Sequence, residues 1–272
     1  MVDAVRESGL RIDSRVLPAV HIADALRELA KSGVRRAGVA GGDGTIALAA
    51  GVAATLPLEL AVIPGGTLNH LAKDLGIPEA LGDALRVAIT GEARAVDAGS
   101  VNGRLFLNTS SVGAYVTFVR LRERLERYLG YRLASLAAAL RLLIRPRTFT
   151  VEVEIEGKMR VDISPLVFVG VGERELKLPT LGGRAKDGRR GLHLMIVRGR
   201  SRARLAALAF AAAARGTRSA TQSPALEAVI VTQFTIRMRR PRGRVATDGE
   251  LNAMFAPLEY RWMPDAVMVV AP

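Results

Sequence analysis

No cysteine occurs in the 272 residues. Disulfides, thiolate-bound metals and a cysteine nucleophile are therefore excluded together, and the redox compartment is left open. Aromatic residues are scarce, at 4%. Proteins that hold nucleic acid by stacking interleave aromatics with basic residues. Here the basic residues are scattered or helical, without a zinc-finger or RNP-type pattern, so no nucleic-acid partner is expected. Lysine is rare too, at five of the 39 basic residues. No segment approaches the roughly twenty apolar residues that a spanning helix needs. The longest candidate, residues 205–214, is flanked by Arg204 and Arg215. Residues 1–10 carry Asp3, Arg6 and Glu7 and do not read as a secretory signal. The expectation is a cytoplasmic protein, peripheral at the inner membrane face.

What is present suffices for a sizeable core. With 49% hydrophobic and 24% charged residues, the chain is long enough for one large domain or two modest ones. The net charge of +13 draws a polyanion, whether anionic lipid, nucleotide or nucleic acid.

Residues 41–45, Gly-Gly-Asp-Gly-Thr, lie between a short apolar stretch at 37–40 and a helix-prone run at 46–54. A strand-to-helix turn of this composition suits phosphate. Glycine lets a ligand approach the backbone, and the free N–H groups and dipole of the following helix favour an anion. Thr45 adds a hydroxyl. Asp43 adds a carboxylate where bare phosphate would be repelled, which implies a metal ion or proton transfer alongside. Taken singly, Gly41 and Gly44 read as turn geometry alone.

A second turn of the same construction follows. Residues 58–63 read as a buried strand, closed by Pro64-Gly65-Gly66-Thr67 before a helix that begins near Leu68 and stops at Gly76-Ile77-Pro78. Together with Gly41, Gly42 and Gly44, the glycines Gly65 and Gly66 open two turns at one end of neighbouring parallel strands, where doubly wound sheets bind ligands. Thr67 and Asn69 read either as donors to phosphate or ribose oxygens or as helix caps.

Residues 1 to about 90 alternate helix and strand, with helices expected at 22–31, 46–54, 68–75 and 81–90. Paired strands follow. Asn102-Gly103 joins 95–101 to 105–109, and Gly157-Lys158 joins 149–156 to 159–163. Val151, Val153 and Ile155 alternate with Glu152, Glu154 and Glu156, so that strand shows one face to water. Further strands are expected at 192–197, 228–238 and 258–262. Residues 119–144 are helical, with Arg120, Arg122, Arg124, Arg127, Arg132 and Arg141 beside Leu121, Leu125, Leu129, Leu133 and Leu136. This reads either as a membrane-interface helix or as a helix packed on the second domain with solvated arginines.

Gly41-Gly-Asp-Gly-Thr45 and Pro64-Gly-Gly-Thr-Leu-Asn69, followed by Leu71-Ala-Lys-Asp-Leu-Gly-Ile-Pro78, resemble the catalytic domain of bacterial diacylglycerol kinases and their sphingosine kinase relatives. Val96-Asp97-Ala98-Gly99, Phe106-Leu107-Asn108, Lys186-Asp187-Gly188 and Asp248-Gly249-Glu250 extend the match. NAD kinases and phosphofructokinases share the first turn, but Gly66-Thr67-Leu68-Asn69-His70-Leu71 departs from the Gly-x-Asn-x-Gly-x-Leu-Gly motif of NAD kinases.

The resemblance implies an NAD kinase/diacylglycerol kinase-like fold of two domains. A Rossmann-like α/β nucleotide-binding domain spans 1–94, to which about 264–272 return, and a mostly antiparallel β-sandwich lipid-substrate domain spans 95–263. It implies an ATP-dependent lipid kinase acting on diacylglycerol or a related lipid at the membrane surface. A homodimer is compatible with it, and oligomeric state is left open. Asp248 or Glu250 takes the lipid hydroxyl proton in that reading, with Asp43 also catalytic, and Asp187 matches an Mg²⁺ position beside Arg184, Lys186, Arg189 and Arg190.

Two departures stand out. The Asn-Pro-x-Ser/Gly turn of the family's first strand does not precede Gly41, so either the chain starts late or that piece is lost. Residues 169–174, Val-Gly-Val-Gly-Glu-Arg, replace an asparagine-rich turn. A degenerate homologue that binds lipid or nucleotide without catalysis is the alternative, ahead of an NAD kinase-like enzyme.

Overall fold

Parallel strands that end at the same level bring the two glycine turns side by side. β1 (Arg36–Gly41) pairs with β2 (Glu59–Pro64) from Arg36 opposite Glu59 to Gly41 opposite Pro64. The computed structural model that shows this describes residues 14–67, 69–144, 148–175, 183–185, 187–198, 226–239 and 241–272. The N-terminal stretch at 1–10, Leu68, Lys186 and the apolar run at 205–214 lie outside the described residues. Among the described residues no helix is long and apolar enough to cross a membrane.

The chain divides into two units, one formed by residues up to Ala98 together with Met263–Pro272 and the other by Gly99–Trp262. In the first unit, α1 (Ile22–Lys31) precedes β1, and α2 (Asp43–Ala53) links β1 to β2. α2 buries Ile46, Ala49, Ala50 and Ala53, the spacing of one helical face. β2 is buried from Leu60 to Ile63, as expected of a central strand covered on both sides. Its other neighbour is the end of the closing strand Leu258–Ala271, also parallel, with Val269 opposite Leu60. α3 (His70–Asp74) and α4 (Leu81–Thr90) complete the unit. Arg36 pairs with Glu59 at 2.9 Å and donates to the Ile89 carbonyl at 2.8 Å, placing a cation at the C-terminal end of α4. β3 (Glu92–Val101) leaves the unit. Within it, the buried Asp97 accepts the Asp265 N–H at 3.0 Å and ties down the returning chain.

The second unit begins with the hairpin of β3 and β4 (Arg104–Phe106), turning at Asn102-Gly103 as expected. Then come β5 (Thr109–Gly113), α5 (Ala114–Ile144), β6 (Phe149–Ile155), β7 (Lys158–Ser164), β8 (Leu166–Val171), β9 (Arg174–Glu175), β10 (Gly183–Arg184) and β11 (Leu192–Val197). β12 (Leu226–Val231), β13 (Gln233–Met238), β14 (Arg242–Thr247), β15 (Glu250–Phe255) and β16 (Leu258–Ala271) follow. One sheet runs β12-β11-β8-β5-β14-β15, antiparallel throughout. The other holds β7, β6, β13 and the start of β16. Val151, Val153, Ile236 and Leu258 meet Val167, Val169, Leu192 and Val245 in one core. Phe234 stacks on Tyr260 at 4.6 Å, a contact worth on the order of 1 kcal/mol beyond its buried area.

Four expectations need correction. The expected strand 228–238 is two strands, because the chain turns at Thr232 and changes sheets. A continuous run of β-branched residues hides such a corner. The expected strand at 258–262 and the returning stretch at about 264–272 are one strand, β16, uninterrupted by Pro264. The second hairpin turns at Glu156-Gly157, both at positive φ, one residue earlier than expected. Finally, the helix at 119–144 starts at Ala114 and breaks at Gly130 (φ 70°, ψ 167°), so α5 is two helical segments.

Candidate functional site

In the first unit the two turns pack backbone against backbone. The Gly65 N–H donates to the Gly41 carbonyl at 2.9 Å. A Cβ on Gly66 would lie 2.7 Å from Gly42 Cα, and one on Gly65 would lie 3.3 Å from the Gly41 backbone. Neither position tolerates a side chain without moving the opposite loop. Part of the glycine requirement is thus this close approach.

The first turn is shorter than expected. Only Gly42 lies between β1 and α2, and Asp43, Gly44 and Thr45 already form the helix's first turn. Aspartate is favourable there, and the first amides need no intrahelical acceptor, so the helix can start inside the glycine run. The first intrahelical bond runs from the Ile46 N–H to the Gly42 carbonyl, at 3.0 Å. The amides of Asp43, Gly44 and Thr45 therefore have no partner within the helix, and no side chain caps it. These amides at the positive end of an eleven-residue helix form a cradle that fits a phosphate group.

Asp43 and Asn69 hold this corner in shape. The Asp43 carboxylate accepts the His70 N–H at 2.8 Å, joining the start of α2 to the start of α3. Asn69 sits in the left-handed region at φ 51° and bridges Gly66 twice, accepting its N–H and donating to its carbonyl, each at 2.9 Å. Asn69 therefore closes its own loop rather than capping α3. Thr67 is exposed, and the Thr45 side chain lies against Gly41.

The second unit carries a different corner. β14 and β15 are joined by Asp248-Gly249, with φ of 47° and 86°, the two-residue loop favoured between twisted strands. Asp248 is buried, and its carboxylate accepts backbone N–H bonds from Leu107 and Asn108 at 2.8 Å and from Thr109 at 2.9 Å. Burial pushes this carboxyl above its ordinary value, while the three donors and the charge of Arg174 pull against that shift. Glu250, two residues on, is half exposed and faces Arg104 at 3.4 Å. Separated only by Gly249, the two carboxylates differ in surroundings: one is a buried anchor and the other is half exposed beside Arg104.

Behind Asp248 lies a polar cluster with no signal in the sequence. Arg174 is 2% exposed and donates to the Asn108 carbonyl at 2.9 Å. Gly170 makes room for it, since a Cβ there would lie 2.4 Å from the Arg174 side chain. The Arg174 N–H is received by Nδ1 of the buried His193 at 3.0 Å, and burial holds His193 below its ordinary value. His193 is therefore neutral and structural, as its lack of ligand spacing suggests.

Asp187 lies in an exposed turn of this unit. Arg189 pairs with Glu173 at 3.4 Å, and Arg190 lies over the Trp262 ring at 5.5 Å. Among the described residues no group of three or more His, Asp or Glu side chains could hold a metal ion. Asp187 is exposed, and the Mg²⁺ position there stands as an expectation of the family resemblance. The structure thus gathers Gly41, Gly42, Asp43, Gly44, Thr45, Gly65, Gly66, Thr67 and Asn69 in one corner and Asp248 with Glu250 in another, leaving Asp187 in a loop apart.

Residues 2–101 match the family model of the diacylglycerol kinase catalytic domain. The diacylglycerol kinase of Bacillus subtilis is 39% identical over 127 residues, covering 44% of this chain and 41% of that enzyme. The lipid kinase YegS of Escherichia coli K12 is 37% identical over 136 residues, covering 46% of this chain and 44% of that protein. The aligned stretch is thus less than half the length of either relative. A Bacillus anthracis protein assigned as a diacylglycerol kinase shares the fold over 94% of this chain and 84% of its own, with TM-score 0.72 and 22% identity. A second structure of a diacylglycerol kinase from that organism gives 0.65 at 19% identity, covering 94% and 83%.

Proposed function

With the chain belonging to the family of diacylglycerol and related lipid kinases through its residues 2–101, we propose that it transfers the γ-phosphate of ATP to a primary hydroxyl of diacylglycerol or a related lipid at a membrane surface. The observation that carries this reading is the glycine corner of the first unit. Its loops approach too closely for side chains, beside helix amides without intrahelical partners. Such a corner supplies what phosphoryl transfer asks of protein, namely a fixed hold on the phosphates and charge stabilisation without covalent chemistry.

In this proposal the amides of Asp43, Gly44 and Thr45, with the exposed Thr67 hydroxyl, hold the phosphates. Asp43 keeps the two loops in register through the His70 N–H. The acceptor hydroxyl gives its proton to Glu250, whose carboxylate is exposed, while Asp248 anchors the hairpin that presents it. ATP supplies the phosphoryl group. The test is transfer of labelled phosphate from ATP to a panel of detergent-solubilised lipids. Labelled phosphatidic acid from diacylglycerol, lost in Asp43→Ala with the unfolding midpoint retained, is the expected result. No labelled lipid with any acceptor, or full turnover in Asp43→Ala, would remove the proposal.

A further inference from the structure

The second segment of α5, after Gly130, has its amphipathicity reversed. It buries Ala134 and Ala138, each fully, and turns its largest side chains outward: Leu133, Leu136, Leu140 and Ile144 are 59%, 67%, 55% and 52% exposed. The spacing of three, four and four residues puts these four on one helical face. Ordinary packing would have buried the leucines and exposed the alanines, because the larger side chains gain more from leaving water. A contiguous apolar face turned to solvent marks an interaction surface.

The break at Gly130 adds a second feature. It lets residues 121–125 and 137–144 line a common groove of about 710 Å³, walled by Leu121, Leu125, Leu140 and Ile144, with Arg124 and Arg141 also lining it. The described arginines at this surface are Arg124, Arg127 and Arg141, with Glu123 and Glu126 on the first segment; after Glu126 the helix sequence holds neither aspartate nor glutamate. Apolar side chains among guanidinium groups match the two layers of an anionic membrane surface, with acyl chains below and phosphates above.

We propose that α5 docks the protein on anionic phospholipid bilayers, with Leu133, Leu136, Leu140 and Ile144 entering the acyl region and Arg124, Arg127 and Arg141 meeting lipid phosphates. This deepens the lipid-kinase reading by naming the surface that meets the membrane, and it is argued from the exposed face itself. Vesicles without diacylglycerol read docking alone, so its failure and the failure of the kinase reading are separable.

The experiment is flotation of the full chain with vesicles of phosphatidylcholine alone and of an equal mixture with phosphatidylglycerol. The protein is expected to float with the mixed vesicles, to be released by raised salt, and to bind at least about tenfold more weakly as the Leu136→Ser, Leu140→Ser double variant. Both positions face solvent, so the variant's unfolding midpoint should match the parent's, and its transfer to micellar diacylglycerol should be retained. Arg124→Gln with Arg141→Gln should reduce the preference for the mixed vesicles. Equal or absent binding to the two vesicle types, or unchanged binding by the leucine variant, would overturn the proposal. So would a parent dimer in sedimentation that the leucine substitutions dissociate without altering vesicle binding, since that assigns the face to a second copy.

Discussion

The glycine corner of the first unit and the acidic corner of the second solve opposite problems. Around Gly41 and Gly66 the backbone comes close because side chains are missing, and the first helix amides have no acceptor within the helix. Around Asp248 a side chain is driven into the backbone, and one carboxylate answers three amides from residues 107–109. Unpaired donors point to a ligand, whereas saturated ones point to a scaffold. Asp248 and Glu250 are therefore separable by substitution although only Gly249 stands between them.

The sharpest break in that contrast is Glu250→Gln. Loss of a general base lowers rates by about 10² to 10⁴, and the exposed position of Glu250 predicts an unchanged unfolding midpoint. Near-parental phosphate transfer in this variant would return the base role to Asp248. The reciprocal change, Asp248→Asn, is expected to act on stability. Its amide would face a backbone donor, leaving buried N–H groups unsatisfied at a cost of roughly 2–3 kcal/mol in chemical denaturation. Native-like stability with lost activity would reverse the assignment.

The corners of the first unit yield a smaller, graded test. A Cβ at Gly66 meets Gly42 Cα at 2.7 Å, whereas a Cβ at Gly42 meets Gly66 Cα at 3.5 Å, an ordinary contact. Gly66→Ala should destabilise by about 1–3 kcal/mol and Gly42→Ala by less, as measured by thermal unfolding. Equal effects would mean that the loops do not touch as described.

Much of this was legible in the sequence, and the misses share a cause. The two glycine turns, their strands and the hairpin at Asn102-Gly103 are local signals of spacing and turn chemistry, and they appear where expected. The corner at Thr232 was missed because sheet switching is set by the two partner strands rather than by the run itself. The surroundings of Asp248 and Glu250 could not be told apart beforehand, since amides some 140 positions away distinguish them. Arg174 gave no signal either, because its pocket is Gly170 and His193 folded around it. The outward leucines of α5 show the same limit. Periodicity finds an apolar face but does not say which way it points.

The smallest expected effect concerns pH. His193 is held below its ordinary value near 6.5 by burial, and its Nδ1 accepts the Arg174 N–H. The unfolded chain therefore binds the proton first as pH falls through about 6.5, and stability declines toward acid until the folded-state value is passed. His193→Gln, which retains an acceptor, should flatten this decline in denaturation measured at stepped pH. An identical slope in the variant would show that other groups set the acid sensitivity.

Asp43 already carries a duty before any ligand arrives. Its carboxylate is bound to the amide that opens α3, so any ligand or ion that draws the carboxylate away must loosen the second loop, and any ligand that leaves the bond intact must work around it. The two loops are therefore not independent binding elements. Occupancy of one would register at the other through a single backbone proton, and the chemical shift of the His70 amide would serve as a built-in reporter of what the first loop holds.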